Sequence, residues 1–93
     1  MEVTEIIRRI PGITDVYIFG VKHAIRGEQV AAAIVAEPGL RKSVIRNLCR
    51  QYLPGYKCPA KIYFLTALPR NSLGKVVKSK VMELIQPASG QID

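Results

Sequence analysis

At 93 residues, of which 48% are hydrophobic, this chain can build one modest core but not two, and it is too apolar to be disordered. Its apolar residues are dispersed, which excludes a membrane-spanning helix, and its two cysteines and one histidine are too few for a zinc site or a disulfide framework. The formal net charge is +7, which suggests an anionic partner.

The first half of the chain predicts one helix and two strands. Apolar positions at helical spacing predict a helix over residues 3–10, which Pro11-Gly12 ends. β-Branched and aromatic residues predict a buried strand over 15–21 and a second strand over 29–36. We expect the two strands to pair as a hairpin, with residues 22–27 as the loop between them.

The second half predicts two helices and one strand. An apolar stripe over 40–52 predicts a helix, residues 62–65 predict a third strand, and residues 78–85 predict a last helix. The order α-β-β-α-β-α indicates an α+β fold in which a small three-stranded sheet packs against helices. A short extra hairpin is expected over 69–75.

Positive charge is concentrated in the second half. Residues 1–37 carry four Lys or Arg and five Asp or Glu, whereas residues 38–82 carry ten basic residues and no acidic one. Three of these, Lys42, Arg46 and Arg50, recur at every fourth position and form one ridge on the predicted helix. An anion would relieve their mutual repulsion, but an ordinary solvated helix face is an equally open interpretation.

The segment 68–76, Leu-Pro-Arg-Asn-Ser-Leu-Gly-Lys-Val, is the most informative motif in the chain. A proline, a polar tip and a glycine directly before a lysine predict a tight turn that presents Lys75 in a fixed direction. Gly74 would let the backbone turn closely enough for that. A cation held in this way can stabilise charge on a reacting phosphate or carboxylate. The alternative is a solvated hairpin lysine.

Four segments, taken together, resemble the C-terminal domain of the acyl-activating, AMP-forming enzymes. That superfamily comprises acyl-CoA synthetases, adenylation domains of peptide synthetases and luciferases. The segments occur in the family's order and at its intervals, and the last contains its Pro-x-x-x-x-Gly-Lys motif: 15–21 (Asp-Val-Tyr-Ile-Phe-Gly-Val), 26–32 (Arg-Gly-Glu-Gln-Val-Ala-Ala), 53–59 (Leu-Pro-Gly-Tyr-Lys-Cys-Pro) and 68–76.

The resemblance implies that residues 1–86 form the lid domain of such an enzyme and that 87–93 are a frayed tail. The family's large N-terminal domain, which binds ATP and the acid, and the hinge to it are expected to be absent from this chain. The lid would therefore be inactive alone and would act with that large domain in cis or in trans.

The family's reaction implies roles for three residues. A carboxylic acid and ATP, bound with Mg²⁺, form an acyl-adenylate, which the thiol of CoA or of a carrier protein then attacks. Lys75 would be the catalytic residue of the first step, and Gly74 would provide the loop geometry. Arg50 is a candidate contact for a phosphate of CoA. ATP and CoA would be bound by the intact enzyme and neither by this domain alone, and no metal site, nucleic acid or membrane span is expected here.

Alternatives to a CoA ligase remain open at this point. The segment could belong to the adenylation domain of a peptide synthetase, although Leu73 before Gly74 and Val77-Lys78 after the lysine look closer to the acyl- and aryl-CoA synthetases. A basic module that binds nucleic acid would suit the net charge, but no recognition motif accompanies it. A protein-interaction remnant would have no need to retain the lysine turn.

The two cysteines are expected to be structural rather than nucleophilic. Cys49 fits the apolar stripe of the second predicted helix, and Cys58 directly precedes Pro59. A reducing, cytoplasmic location is the expected setting for such thiols.

Overall fold

The computed structural model describes residues 2–25 and 27–85. The chain has the predicted α+β fold, with the helices and strands in the predicted order. The elements are α1 (Val3–Arg8), β1 (Ile13–His23), β2 (Gly27–Ala36), α2 (Lys42–Tyr52), β3 (Lys61–Phe64) and α3 (Lys78–Ile85), with a 3-10 turn over Gly55–Lys57. Arg26 and the tail predicted over 87–93 lie outside the described residues.

The sheet has the order β1-β2-β3, so β2 is its central strand. β1 and β2 form the predicted antiparallel hairpin. β3 lies parallel to β2, which the sequence did not indicate, and it pairs from Lys61 opposite Ala31 to Phe64 opposite Ile34. A parallel pair needs a crossover connection, and α2 provides it.

The sheet separates two apolar clusters, because successive side chains of a strand lie on opposite faces. On one face, Ala32 and Ile34 of β2 pack in a cluster with α1 and α2. On the other face, Ala31 and Ala33 pack with Phe19 of β1 and with residues from the C-terminal part of the chain, Leu68 and Val81. All four β2 positions are fully buried, as expected for a central strand covered on both faces.

The loop between β1 and β2 is shorter than predicted. Instead of a loop over 22–27, the ladder continues until His23 pairs with Gly27. Lys22 lies directly opposite Glu28 in this part of the ladder. Gly27 has a φ of +74°, a conformation that glycine adopts without strain, and it begins the return strand.

Two helix boundaries also differ from the prediction. α1 ends at Arg8 rather than Ile10, because the residue before a proline is disfavoured in the helical conformation and Pro11 follows. α2 begins at Lys42 rather than Leu40, although Leu40 still packs against the first apolar cluster. The last helix has its predicted bounds. Among the described residues, no helix has the length and apolar character to cross a bilayer.

Candidate functional site

The lysine loop, residues 69–77, is a short hairpin, as the sequence predicted. Arg70 and Val76 form an isolated antiparallel bridge. Two further backbone bonds close the hairpin: the N–H of Val77 donates to the carbonyl of Pro69 at 2.9 Å, and the N–H of Asn71 donates to the carbonyl of Lys75 at 2.9 Å. The base of the loop follows Leu68, which is buried in the second apolar cluster.

Asn71 and Gly74 determine the shape of the loop tip. The side-chain oxygen of Asn71 accepts hydrogen bonds from the backbone N–H groups of Leu73, at 2.9 Å, and Lys75, at 3.1 Å. Asparagine commonly stabilises turns in this way. Gly74 has a φ of +83°, where a side chain would strain the backbone. The local sequence therefore dictates the bend immediately before the lysine.

Arg70 connects the tip of the loop to the sheet. Its Nη1 donates to the carbonyl of Gly74 at 2.7 Å, and its Nη2 donates to both carboxylate oxygens of Asp15, at 2.7 and 2.9 Å. Asp15 belongs to β1 and is 55 residues away in sequence. This contact could not be predicted from the sequence, because neither residue shows a local pattern that would pair it with the other.

Lys75 itself is exposed. Within residues 2–25 and 27–85 its ammonium group has no hydrogen-bond or ion-pair partner, so its charge is available to a group outside these residues. The neighbouring Leu73 is 82% exposed. The loop thus presents a cation beside an apolar side chain on an ordered turn.

A second candidate site is a groove of about 630 Å³ between α2 and the start of β2. Arg46 and Arg50 of α2 line it, together with Tyr56, Glu28 and Cys58. The groove therefore contains two of the three residues of the predicted basic ridge. The third, Lys42, is exposed and does not line it.

Gly20 lies beside one of the side chains that line the groove. The carboxylate of Glu28 lies against Gly20, where a Cβ atom would come within 2.8 Å of it. The groove has two guanidinium groups and one carboxylate among its lining side chains, which leaves it net positive.

The structure does not bring Lys75 and Arg50 together. The lysine loop is tied to Asp15, which pairs with Val35 near the end of β2. The groove is lined by residues 28–30 at the start of β2. The two candidate sites therefore lie at opposite ends of the central strand, and a single ligand contact cannot use both.

The two cysteines differ in their surroundings, since Cys49 lies in the core and Cys58 lines the groove. Cys49 is fully buried, and burial, reinforced by the nearby Cys58, raises the pKa of its thiol, so the reactive thiolate is disfavoured. The thiol of Cys58 lies 3.6 Å from the carbonyl of Pro54. Both thiols are free, and the described residues include no cluster of three His, Cys, Asp or Glu side chains that could hold a metal ion.

The chain matches the AMP-binding enzyme C-terminal domain over residues 2–75. It belongs to this family. The match includes β1, β2, α2, β3 and the lysine loop up to Lys75 itself. The resemblance noted in the sequence is therefore confirmed at the level of the domain family.

Known relatives of this AMP-binding C-terminal domain are much longer proteins. It is 33% identical over 78 residues to a long-chain-fatty-acid–CoA ligase of Haemophilus influenzae. The aligned region is 83% of this chain and 14% of that protein. It is 34% identical over 84 residues to a 3,4-dihydroxybenzoate–[aryl-carrier protein] ligase of Bacillus anthracis. The aligned region is 90% of this chain and 20% of that protein. The chain thus spans a fifth or less of the length of these two relatives.

A solved structure shares the same fold. The crystal structure of ATP-bound MatB from Rhodopseudomonas palustris superposes with a TM-score of 0.80 at 31% identity, covering 88% of this chain and 17% of that chain. The fold described above is thus shared with one part of a much longer protein whose structure was solved with ATP bound.

Proposed function

We propose that this domain is the mobile lid of an ATP-dependent ligase that joins a carboxylic acid to CoA through an acyl-adenylate. The observation that carries the proposal is the ordered lysine loop, whose exposed cation has no partner within the described residues. An exposed ammonium group on a hydrogen-bonded turn is suited to contact a ligand held by another domain. That large domain, in the same polypeptide or a separate one, would hold ATP with Mg²⁺ and the acid, and residues 1–86 would form the lid.

Lys75 would act in the adenylation step. When a carboxylate oxygen attacks the α-phosphate of ATP, the bond to the bridging oxygen breaks and pyrophosphate leaves. Negative charge accumulates on the phosphate oxygens during this displacement. An ammonium group delivered to them stabilises the transition state more than the ground state, which is the condition for catalysis. Asn71 and Gly74 would fix the backbone from which the Lys75 side chain reaches these oxygens.

The basic groove would act in the thioester step. Arg46 and Arg50 provide guanidinium groups that suit a phosphate, and the groove is large enough for part of a nucleotide. Because the groove and the lysine loop lie at opposite ends of β2, one pose of the domain cannot place both at the same reaction centre. This separation supports a lid that rotates between the two steps.

The identity of the thiol acceptor is the finer part of the proposal. One relative carries the name of a CoA ligase and the other that of a carrier-protein ligase, so relatives alone do not separate the two. Two arginines lining a groove favour CoA, whose nucleotide end carries several phosphates. A carrier protein as acceptor is the second candidate.

The function is tested on the native species that contains this chain. We would capture it with an antibody to the domain, measure its intact mass, and assay acid-dependent exchange between ATP and pyrophosphate. We expect exchange that requires a carboxylic acid, followed by thioester formation when CoA is added. A native species without exchange for any class of acid, but with salt-sensitive binding to DNA, would contradict the proposal and support a basic nucleic-acid module.

Replacing Arg50 with alanine tests the groove. We expect the KM for CoA to rise about tenfold, since a charge-assisted hydrogen bond to phosphate is lost, with little change in the exchange between ATP and pyrophosphate. Arg41→Ala is the matched control, because Arg41 is also exposed and adjoins α2 but does not line the groove. Equal effects of the two substitutions would indicate a general loss of positive charge rather than a site.

A further inference from the structure

We propose that Arg70 is a positioning residue for Lys75. Its guanidinium joins the carbonyl of Gly74 to the carboxylate of Asp15 and so holds the tip of the lysine loop at one angle to the sheet. The catalytic consequence of this inference rests on the proposed function, whereas its structural part, the ordering of the loop, does not.

The contacts use both terminal nitrogens of the planar arginine fork. One terminal nitrogen of Arg70 donates to the backbone next to Lys75, and the other donates to both oxygens of Asp15. A lysine at this position has a single ammonium group on a flexible stem and lacks that rigid two-directional geometry. Asp15 is itself oriented, since its Oδ1 also accepts the N–H of Val16 at 3.0 Å. The chain of contacts therefore runs without interruption from β1 to the residue before the lysine.

The contribution of the pair to global stability is expected to be small. The side chains of Arg70 and Asp15 are 41% and 23% exposed, and ion pairs that solvent reaches contribute little to folding. The base of the loop is closed independently by backbone bonds and by the buried Leu68. What the pair adds is a direct connection between the tip and β1, which the bonds within the hairpin do not provide.

Orientation of the tip matters because a catalytic group must arrive in the correct geometry. A displacement of about 1 Å can reduce a rate by as much as a hundredfold. Lys75 directly follows the carbonyl that Arg70 holds, so a tip freed from β1 would present its ammonium over a range of positions. The ion pair between Arg70 and Asp15 would thus restrict the positions from which Lys75 reaches a ligand.

Backbone order in the 93-residue chain provides the first test. We would measure ¹⁵N order parameters for residues 72–75 in the native sequence and in Arg70→Gln and Asp15→Asn. We expect values of about 0.85 in the native chain and below about 0.6 in both variants, with the order of β1 and β2 unchanged. Arg8→Gln is the matched control, because Arg8 also lies near Asp15, at 4.0 Å, but has no contact with the loop.

Adenylation in the assembled enzyme provides the second test. We expect Arg70→Gln to slow acyl-adenylate formation about tenfold through kcat, and to have no further effect when Lys75 is already alanine. Unchanged loop order in both Arg70→Gln and Asp15→Asn, or an equal loss of order in Arg8→Gln, would overturn the inference. If the loop loosens but Lys75→Ala itself leaves adenylation intact, the proposed function fails and the positional role of Arg70 remains.

Discussion

Replacing Lys75 with alanine is expected to slow acyl-adenylate formation by about a hundredfold or more, because a cation that stabilises the charged transition state is lost. Lys75 is exposed, so its removal leaves no cavity and no unpaired group within the described fold. The second half-reaction, thioester formation from acyl-adenylate added as such, is expected to keep most of its rate. The measurement is the rate of each half-reaction in the assembled enzyme with saturating substrates.

Lys78→Ala is the matched control for this substitution. Lys78 is also exposed and lies three residues further along, at the start of α3. Its replacement therefore changes the net charge by the same amount without altering the loop tip. We expect it to leave both half-reactions close to their native rates. An equal loss of both half-reactions in Lys75→Ala would point to a defect in folding or docking and would contradict the assignment of a catalytic role.

The second large effect is expected in the core rather than at the site. Ile34→Ala should reduce the free energy of unfolding by about 2–5 kcal/mol, since it removes buried methyl and methylene groups and leaves a cavity. Ile34 is fully buried in the central strand and packs in the cluster that joins the sheet to α1 and α2. In a domain this small, such a loss is a large part of the total stability. Urea unfolding of the 93-residue chain measures it.

Ile25→Ala is the same chemical change at an exposed position. The Ile25 side chain is 89% exposed in the turn between β1 and β2, so we expect a change within about 0.5 kcal/mol. A comparable destabilisation by both substitutions would mean that the hairpin turn, and not the β2 core, limits the stability of the fold.

Local patterns were sufficient to predict most of the elements. Helical spacing located α1, α2 and α3, and β-branched runs located the three strands, because each pattern depends on residues close together in sequence. The errors occur where contacts between residues far apart in sequence decide the length or the pairing of a strand. The β1–β2 ladder continues as far as His23 opposite Gly27, and the parallel pairing of β3 depends on where α2 delivers the chain.

Some features of the candidate site could likewise be predicted from local sequence, and others could not. The turn at Asn71 and Gly74 could be predicted, since asparagine and glycine favour that conformation through their own chemistry. Whether the basic ridge would face solvent or a groove could not be predicted from its spacing alone. Packing of α2 against the sheet decided that Arg46 and Arg50 line the groove and that Lys42 does not.

The amino-acid sequence by itself determined the α+β order of elements and a lysine on a tight turn, because these depend on periodicity and on the conformations of single residues. It also showed the family, through the resemblance of four segments to that family's motifs. Only the tertiary structure decided that Arg70 ties this turn to Asp15, and that the lysine loop and the basic groove lie at opposite ends of β2. The physical reason is that both depend on side chains far apart in sequence. Such side chains meet only after the sheet has paired and its two faces have been covered.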